Sequence, residues 1–214
     1  MDKTIKIDTF SRITRVSRET ITSLKKYEEI LNKANKGFNL IGNSTVNDIW
    51  IRHFLDSAQV IDFIEKNEKT VIDLGSGAGF PGLIISILSK DRKIPLKVKL
   101  VEKSSKKAKF LNSLIDEFQL NAEVINKNIF EYTKKISGDV FVARAFKPLK
   151  IILPLIHNKV ENWKKIFVFQ GKTGKNELLQ ASKSWHIEYK QRESVTSSDS
   201  IVIQINKIKK KINW

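Results

Sequence analysis

The chain has 214 residues, no cysteine and three histidines, which excludes disulfides and thiolate metal sites and argues against a structural zinc site. Hydrophobic residues make up 41% and charged residues 29%, the balance of a soluble globular protein with one main fold rather than of a disordered chain. The net charge of +16 points to a polyanionic partner, because lysines and arginines that neutralise phosphates release counterions, although a lysine-rich coding bias would leave the same footprint.

The N-terminus carries no apolar core of signal-peptide length, and no stretch approaches the roughly 20 apolar residues that cross a bilayer. A cytoplasmic protein without membrane contact is therefore expected. From about Val16 to Lys36 the apolar residues Ile21, Leu24, Ile30, Leu31 and Ala34 recur at helical spacing, and Gly37 stops the run. A second helix is predicted after Ser44, with Val46, Ile49, Trp50, Phe54, Leu55, Ala58, Ile61 and Ile64 on one face. Residues 1–68 thus read as a helical N-terminal extension packed on a core.

After Glu68 the pattern alternates. VIDL (71–74), a helix from Pro81 to about Lys90, VKLVE (98–102) and a helix from about Ser104 to Phe118 are followed by AEVIN (122–126), VFVA (140–143), a helical stretch near Ile151 to Val160, and IFVFQ (166–170). Apolar strands alternating with helices predict an α/β fold, Rossmann-like over 69–207, with a mainly parallel sheet covered on both faces. WHIEYKQ (185–191) and IVIQINK (201–207) leave no room for a crossover helix and should form an antiparallel C-terminal hairpin. Residues 208–214 are expected to be a mobile basic tail.

The stretch VIDLGSGAGFPG (71–82) places four glycines where a strand should end and a helix begin. Gly75, Gly77, Gly79 and Gly82 let backbone approach a ligand, and in a doubly wound fold that position binds nucleotides. Gly77 to Gly82 also satisfies GxGxxG, so a nicotinamide-dependent oxidoreductase is a competing reading. Asp73 opposes it, since a carboxylate there would repel a pyrophosphate and would instead suit a cationic ligand group such as an ammonium. Glu102, closing the next strand, can accept hydrogen bonds from both hydroxyls of a ribose. Adenosine plus an amino acid suggests S-adenosylmethionine; the plainer alternative is that Asp73 caps the loop and Glu102 pairs with Lys103, Lys106 or Lys107.

NLIGNST (39–45), IRHFLDS (51–57), DLGSGAGFPG (73–82), LVEKSSKKAKFL (100–111) and VARAF (142–146) together resemble the bacterial small-subunit ribosomal RNA methyltransferase G family, in its order and at similar spacing. The resemblance spans nearly the whole chain. It implies a class I S-adenosylmethionine-dependent methyltransferase acting on N7 of a guanine in the 530 loop of 16S rRNA, with small-subunit rRNA or the assembling subunit as partner. A monomer is expected, apart from the resemblance. It also implies cofactor contacts from Gly75 and Phe80, the ribose on Glu102, the adenine edge against Ile129 and Phe130, and Arg144 as a binding-site residue. The chain departs from the family in having Ala143 where Ser is frequent, and Gln170-Gly171-Lys172 where a Lys commonly precedes the glycine.

Guanine N7 carries a lone pair and no proton, so its methylation needs no general base, and positioning replaces acid–base chemistry. Arg144, on the sheet edge that carries the glycine loop, could bind the cofactor carboxylate or an RNA phosphate, or form a structural salt bridge. Arg52, His53 and Asp56 would share one helix face as positioning residues beside the sheet, with an intrahelical Arg52–Asp56 ion pair as the alternative. Phe146 is a candidate stacking platform or a core phenylalanine. The basic ends, Lys3, Lys6, Arg12, Arg15, Arg18, Lys207, Lys209, Lys210 and Lys211, would contact phosphates. A non-catalytic RNA-binding protein on the same scaffold is a third reading.

Overall fold

The computed structural model describes residues 2–212, so Asn213 and Trp214 of the expected tail lie outside the described residues. Two helices open the chain, α1 (Lys3–Thr14) and α2 (Arg18–Asn35). α1 was not foreseen. Asp2 caps it by accepting the Thr4 N–H at 3.1 Å, and only Phe10 and Thr14 are buried on it, too narrow a stripe to stand out as a period. α2 buries Leu24, Tyr27 and Leu31; its N-cap Ser17 and Thr20 both hydrogen-bond Asp91.

The predicted second helix changes its winding. Asn43–Asp48 is a 3-10 turn, Trp50–Leu55 is π-wound, α3 (Asp56–Ala58) is a single turn, and Ile61–Phe63 is again 3-10. There follow β1 (Thr70–Leu74), α4 (Gly82–Asp91), β2 (Lys97–Val101), α5 (Ser105–Phe118), β3 (Ala122–Ile125), β4 (Ile136–Ser137), β5 (Val140–Arg144), α6 (Leu149–Lys159), β6 (Val160–Glu161), β7 (Lys165–Gln170), α7 (Gly174–Ser184), β8 (Trp185–Ser194) and β9 (Ser197–Lys210). β4 and β6 form a small parallel pair. α7 is a second unforeseen helix, because Gly174, Leu178 and Ala181 are its only buried residues in a polar run.

The main sheet has the order β3-β2-β1-β5-β7-β9-β8, parallel through β7, with β9 antiparallel to both neighbours. The C-terminal hairpin is therefore present, but it is longer than expected and turns at Val195 and Thr196 alone. β9 runs on to Lys210, with Ile208 facing Ile187 of β8, so the chain is still in the sheet three residues into the expected tail.

Alternate residues of the strands feed two cores. Val71, Val98, Leu100, Val140 and Val142 pack with α2, the helical turns of 49–61, α4 and α5, whereas Ile72, Leu74, Phe141, Ala143, Ile166 and Val168 pack with α6 and α7. Phe141 and Val142 of β5, and Phe167 and Val168 of β7, are thus buried on opposite faces, the reason these strands read as apolar runs, whereas β2 alternates, with Lys97 and Lys99 on the face opposite Val98 and Leu100.

Candidate functional site

β1 has β2 on one side and β5 on the other, so the chain leaves it in opposite senses and a crevice opens at its C-terminal end. The loop that follows is folded across the end of β2 by Gly75 and Ser76, whose N–H groups donate to the Val101 carbonyl at 2.9 and 3.1 Å. Gly75 and Gly79 have φ of +75° and +101°, where L side chains are strained.

These glycines have protein neighbours rather than open space. A Cβ at Gly75 would stand 2.3 Å from the Phe146 ring, one at Gly79 2.3 Å from the Tyr27 hydroxyl, and one at Gly82 2.7 Å from Asp73 Oδ2. Of the four, only Gly77 has room for a Cβ, 3.8 Å from its nearest neighbour, and there a φ of +56° still strains any L side chain. The side-chain-free loop expected for ligand approach is, in part, what lets the protein pack against itself.

A cavity of about 490 Å³ lies over the loop. Of the predicted site residues, Gly75, Gly77, Phe80, Glu102, Ile129, Phe130, Arg144 and His53 line it. Glu102 Oε2 accepts the Gly77 N–H at 2.9 Å and Oε1 the Ser104 N–H at 2.8 Å. Each oxygen is held by backbone rather than by Lys103, Lys106 or Lys107, and each keeps a second lone pair. Phe80 is buried in a stack with Tyr27 on 5.7 Å and His53 on 4.9 Å centroid separation. Phe130 stacks on Phe146 at 5.9 Å.

Asp73 is not among the lining residues. Its carboxylate is fully buried beneath the loop, where Oδ2 accepts the Gly82 N–H at 3.0 Å and Oδ1 has no partner. Burial pushes its pKa up from 3.8 to about 7. It holds the start of α4 instead of facing a cationic ligand group, and strand alternation explains why: Asp73 shares the face of Val71, which α4 covers.

The Arg52–Asp56 pairing does not form either. The π-wound turn leaves the Arg52 side chain exposed and offers only its carbonyl, to Arg144 Nη2. Asp56 Oδ2 accepts Arg144 Nε at 2.7 Å, while its Oδ1 takes Gln59 Nε2, Ser194 Oγ and Thr196 Oγ1 at 2.8, 2.9 and 3.1 Å. Asp56 therefore stands behind Arg144 and ties it to the β8–β9 turn. His53 Nδ1 faces Arg144 Nη1 at 3.2 Å and Nε2 faces Thr45 Oγ1 at 2.9 Å. Burial first, then the Arg144 and Arg52 charges, lowers the His53 pKa to about 3, so the ring is neutral and accepts at Nδ1. Two Arg144 N–H groups remain for a ligand.

Sequence reasoning missed the wall made by Leu40, Ile41 and Gly42, although NLIGNST was singled out as a motif. It also missed a basic lining. Lys103, Lys107, Lys127 and Lys147 border the cavity with no carboxylate partner among the described residues, and Glu102 is the one acid beside them. Of the basic ends, in contrast, Lys3, Lys6 and Lys207 are paired with Glu28, Asp48 and Glu188 at 2.9, 2.9 and 3.4 Å. Lys172 is exposed and pairs with Asp199 at 3.2 Å. No metal-ligating cluster occurs among the described residues.

Residues 20–205 match the family model described as rRNA small subunit methyltransferase G. The chain is 41% identical over 198 residues to "Ribosomal RNA small subunit methyltransferase G" of Pelagibacter ubique, covering 92% of each chain. It is 34% identical over 193 residues to the protein of that name in Paramagnetospirillum magneticum, covering 90% of this chain and 91% of that one. Among solved structures, a SAM-dependent methyltransferase from Aquifex aeolicus aligns with a TM-score of 0.54 at 16% identity, covering 83% of this chain and 97% of that one, a likeness of fold.

Proposed function

The chain belongs to the rRNA small subunit methyltransferase G family, and from that premise we propose that it transfers a methyl group from S-adenosylmethionine to N7 of a guanine in the 530 loop of 16S rRNA. The observation that carries the reading is Glu102, a carboxylate fixed through both oxygens by the Gly77 and Ser104 N–H groups, at the rim of a 490 Å³ cavity. With a lone pair left on each oxygen, Glu102 would accept the two ribose hydroxyls, and Ile129 and Phe130 would flank the adenine. Gly75, Gly77 and Phe80 would border the remainder of the cofactor, and the free N–H groups of Arg144 would take its carboxylate or an RNA phosphate. When bound, S-adenosylmethionine supplies an electrophilic methyl carbon whose bonding pair to sulfur leaves with the sulfur as the N7 lone pair attacks.

The protein's part is positional. No side chain at the cavity is set up as a general base, and none is needed: His53 is neutral but both its ring nitrogens are engaged. Asp56 and His53 hold Arg144 from two sides, which fixes a cation at the cavity edge. Lys103, Lys107, Lys127 and Lys147 would meet RNA phosphates and orient the substrate without reading its sequence. The reading takes a monomer acting in the cytoplasm on the small subunit or its assembly intermediates, in keeping with a cavity lined by a single chain. No described helix is long and apolar enough to cross a membrane.

A pyrophosphate-binding reading loses its docking point, because the α4 N-terminus already gives its Gly82 N–H to Asp73. The test is labelled-methyl transfer to small subunits from cells lacking the protein, followed by borohydride and aniline cleavage, which is selective for N7-methylguanine. Primer extension should stop at one guanine of the 530 loop; label incorporated without cleavage there would reject the assignment.

A further inference from the structure

A second cavity, of about 250 Å³, opens beside the first at the C-terminal ends of β5 and β7. It shares Ala145, Phe146 and Lys147 with the larger cavity, so the two are separated only by the residues that follow β5. Its apolar floor includes Ala143, Ile152 and Val168, and its polar groups are Lys147, Gln170 and Glu177. Glu177 Oε2 accepts the Leu149 N–H at 2.9 Å and Gln170 Nε2 at 3.3 Å. An amide beside a carboxylate must turn its nitrogen toward it, so Gln170 Oε1 is left facing away. Among the described residues that oxygen has no protein donor, and Glu177 Oε1 has only a long contact, 3.3 Å, from the Thr173 hydroxyl.

The cavity therefore offers two under-used acceptor oxygens and, at the shared rim, one unpaired ammonium. We propose that it receives the acceptor guanine edge-first, with N1–H and the exocyclic amine donating to Gln170 and Glu177. This rests on the methyltransferase reading above. Guanine presents two adjacent donors on that edge, whereas adenine presents an acceptor nitrogen there and would face the oxygens unfavourably. N7 lies on the opposite side of the purine from the exocyclic amine. A guanine seated this way directs N7 back across Ala145 and Phe146 toward the larger cavity, where the methyl group is delivered. Phe146 lines both cavities, and its ring offers an aromatic surface at their junction on which an unstacked base could lie. Ala145 takes a φ of +50°, a left-handed conformation that turns the chain sharply at this shared rim.

The experiment compares small subunits reconstituted with rRNA that carries guanosine or inosine at the acceptor position. Inosine keeps N7, O6 and N1–H and lacks only the exocyclic amine. The protein should methylate inosine with a kcat/KM about tenfold to a hundredfold lower, the ordinary cost of an unpaired hydrogen-bonding group next to a charge. Glu177→Gln, at the acceptor of the exocyclic amine, should lower kcat/KM for guanosine and collapse that gap, whereas Gln170→Leu, at the acceptor of N1–H, should lower kcat/KM for guanosine and inosine alike, with S-adenosylmethionine affinity by calorimetry unchanged in both. Glu177→Gln keeps an acceptor for Leu149; if it fails to fold, Gln170→Leu decides through its equal loss on the two bases, since Gln170 caps no helix. Equal rates on guanosine and inosine in the unaltered protein, a gap kept by Glu177→Gln, or no loss of kcat/KM in Gln170→Leu, would overturn the proposal while leaving guanine methylation intact. Cofactor binding without label on guanosine-bearing subunits would instead overturn the methyltransferase reading, and the guanine pocket with it.

Discussion

Gly75→Ala isolates what the first glycine of the loop is for. The added Cβ would lie 2.3 Å from Phe146 Cδ2 and 3.0 Å from Cε2, against the 3.4 Å at which ordinary contact begins, so the ring must retreat by about 1.1 Å. Phe130, stacked on the other ring at 5.9 Å, would have to follow. Overpacking of this kind costs about 1–3 kcal/mol, and holding alanine at a φ of +75° adds about 1–2 kcal/mol. The single variant should therefore lose about 2–5 kcal/mol of stability and bind S-adenosylmethionine less tightly. Phe146→Ala removes the collision but not the backbone strain. In a double-mutant cycle followed by urea denaturation, the pair should be less destabilised than the sum of the singles by about 1–3 kcal/mol, and cofactor affinity should recover in the same order. Additivity to within about 0.5 kcal/mol would show that Phe146 does not press on Gly75.

Asp73 sets a second expectation. Its folded pKa of about 7 lies above the unfolded 3.8, so between those values the folded protein binds the extra proton and stability falls as pH rises. Asp73→Asn can still accept the Gly82 N–H and should flatten that slope, by at most about 4 kcal/mol for three units at about 1.4 kcal/mol each; denaturation at pH 5 and pH 8 with equal slopes for the two proteins would refute it. Asp56→Ala leaves Arg144 unpaired with its side chain 17% exposed, and we expect a loss of about 2–4 kcal/mol, less than for a fully dry pair; Asp56→Asn should cost less, and a denaturation midpoint unchanged by either variant would exclude the Arg144 hub. Replacing Lys127 and Lys147 with Gln should reduce the salt dependence of RNA binding by about 0.7–0.9 in logarithmic slope per lysine, while Lys3→Gln, at a residue paired with Glu28, should change it little; equal effects at the two places would remove the distinction between cavity and terminus.

Much of this molecule was legible because parallel strands align their C-terminal ends. Once VIDL, VKLVE and VFVA are strands, the glycine loop, Glu102 and Arg144 must share one edge, and the structure brings all three to one cavity. What failed was side-chain direction. The alternation that puts Val71 toward α4 puts Asp73 there too, so its burial followed from the pattern and was not drawn from it. Arg52 and Asp56 were placed by α-helical spacing, but the segment from Asn43 to Phe63 mixes 3-10, π and α windings that share nearly the same apolar positions. α1 and α7 escaped for a related reason: two or three buried residues make no detectable period, and it is contact with the rest of the fold that keeps them helical. The polar cavity beside Gln170 and Glu177 depends on pairing across α6 and α7, which no local pattern announces.

Calorimetric titration of the purified protein with S-adenosylmethionine, and separately with NAD, tests the assignment of the crevice most directly. We expect one site for S-adenosylmethionine, none for NAD, and a loss of affinity of about tenfold to a hundredfold in Glu102→Gln, which gives up one charged acceptor. Heat released by NAD but not by S-adenosylmethionine, or an affinity for S-adenosylmethionine that ignores Glu102→Gln, would contradict it.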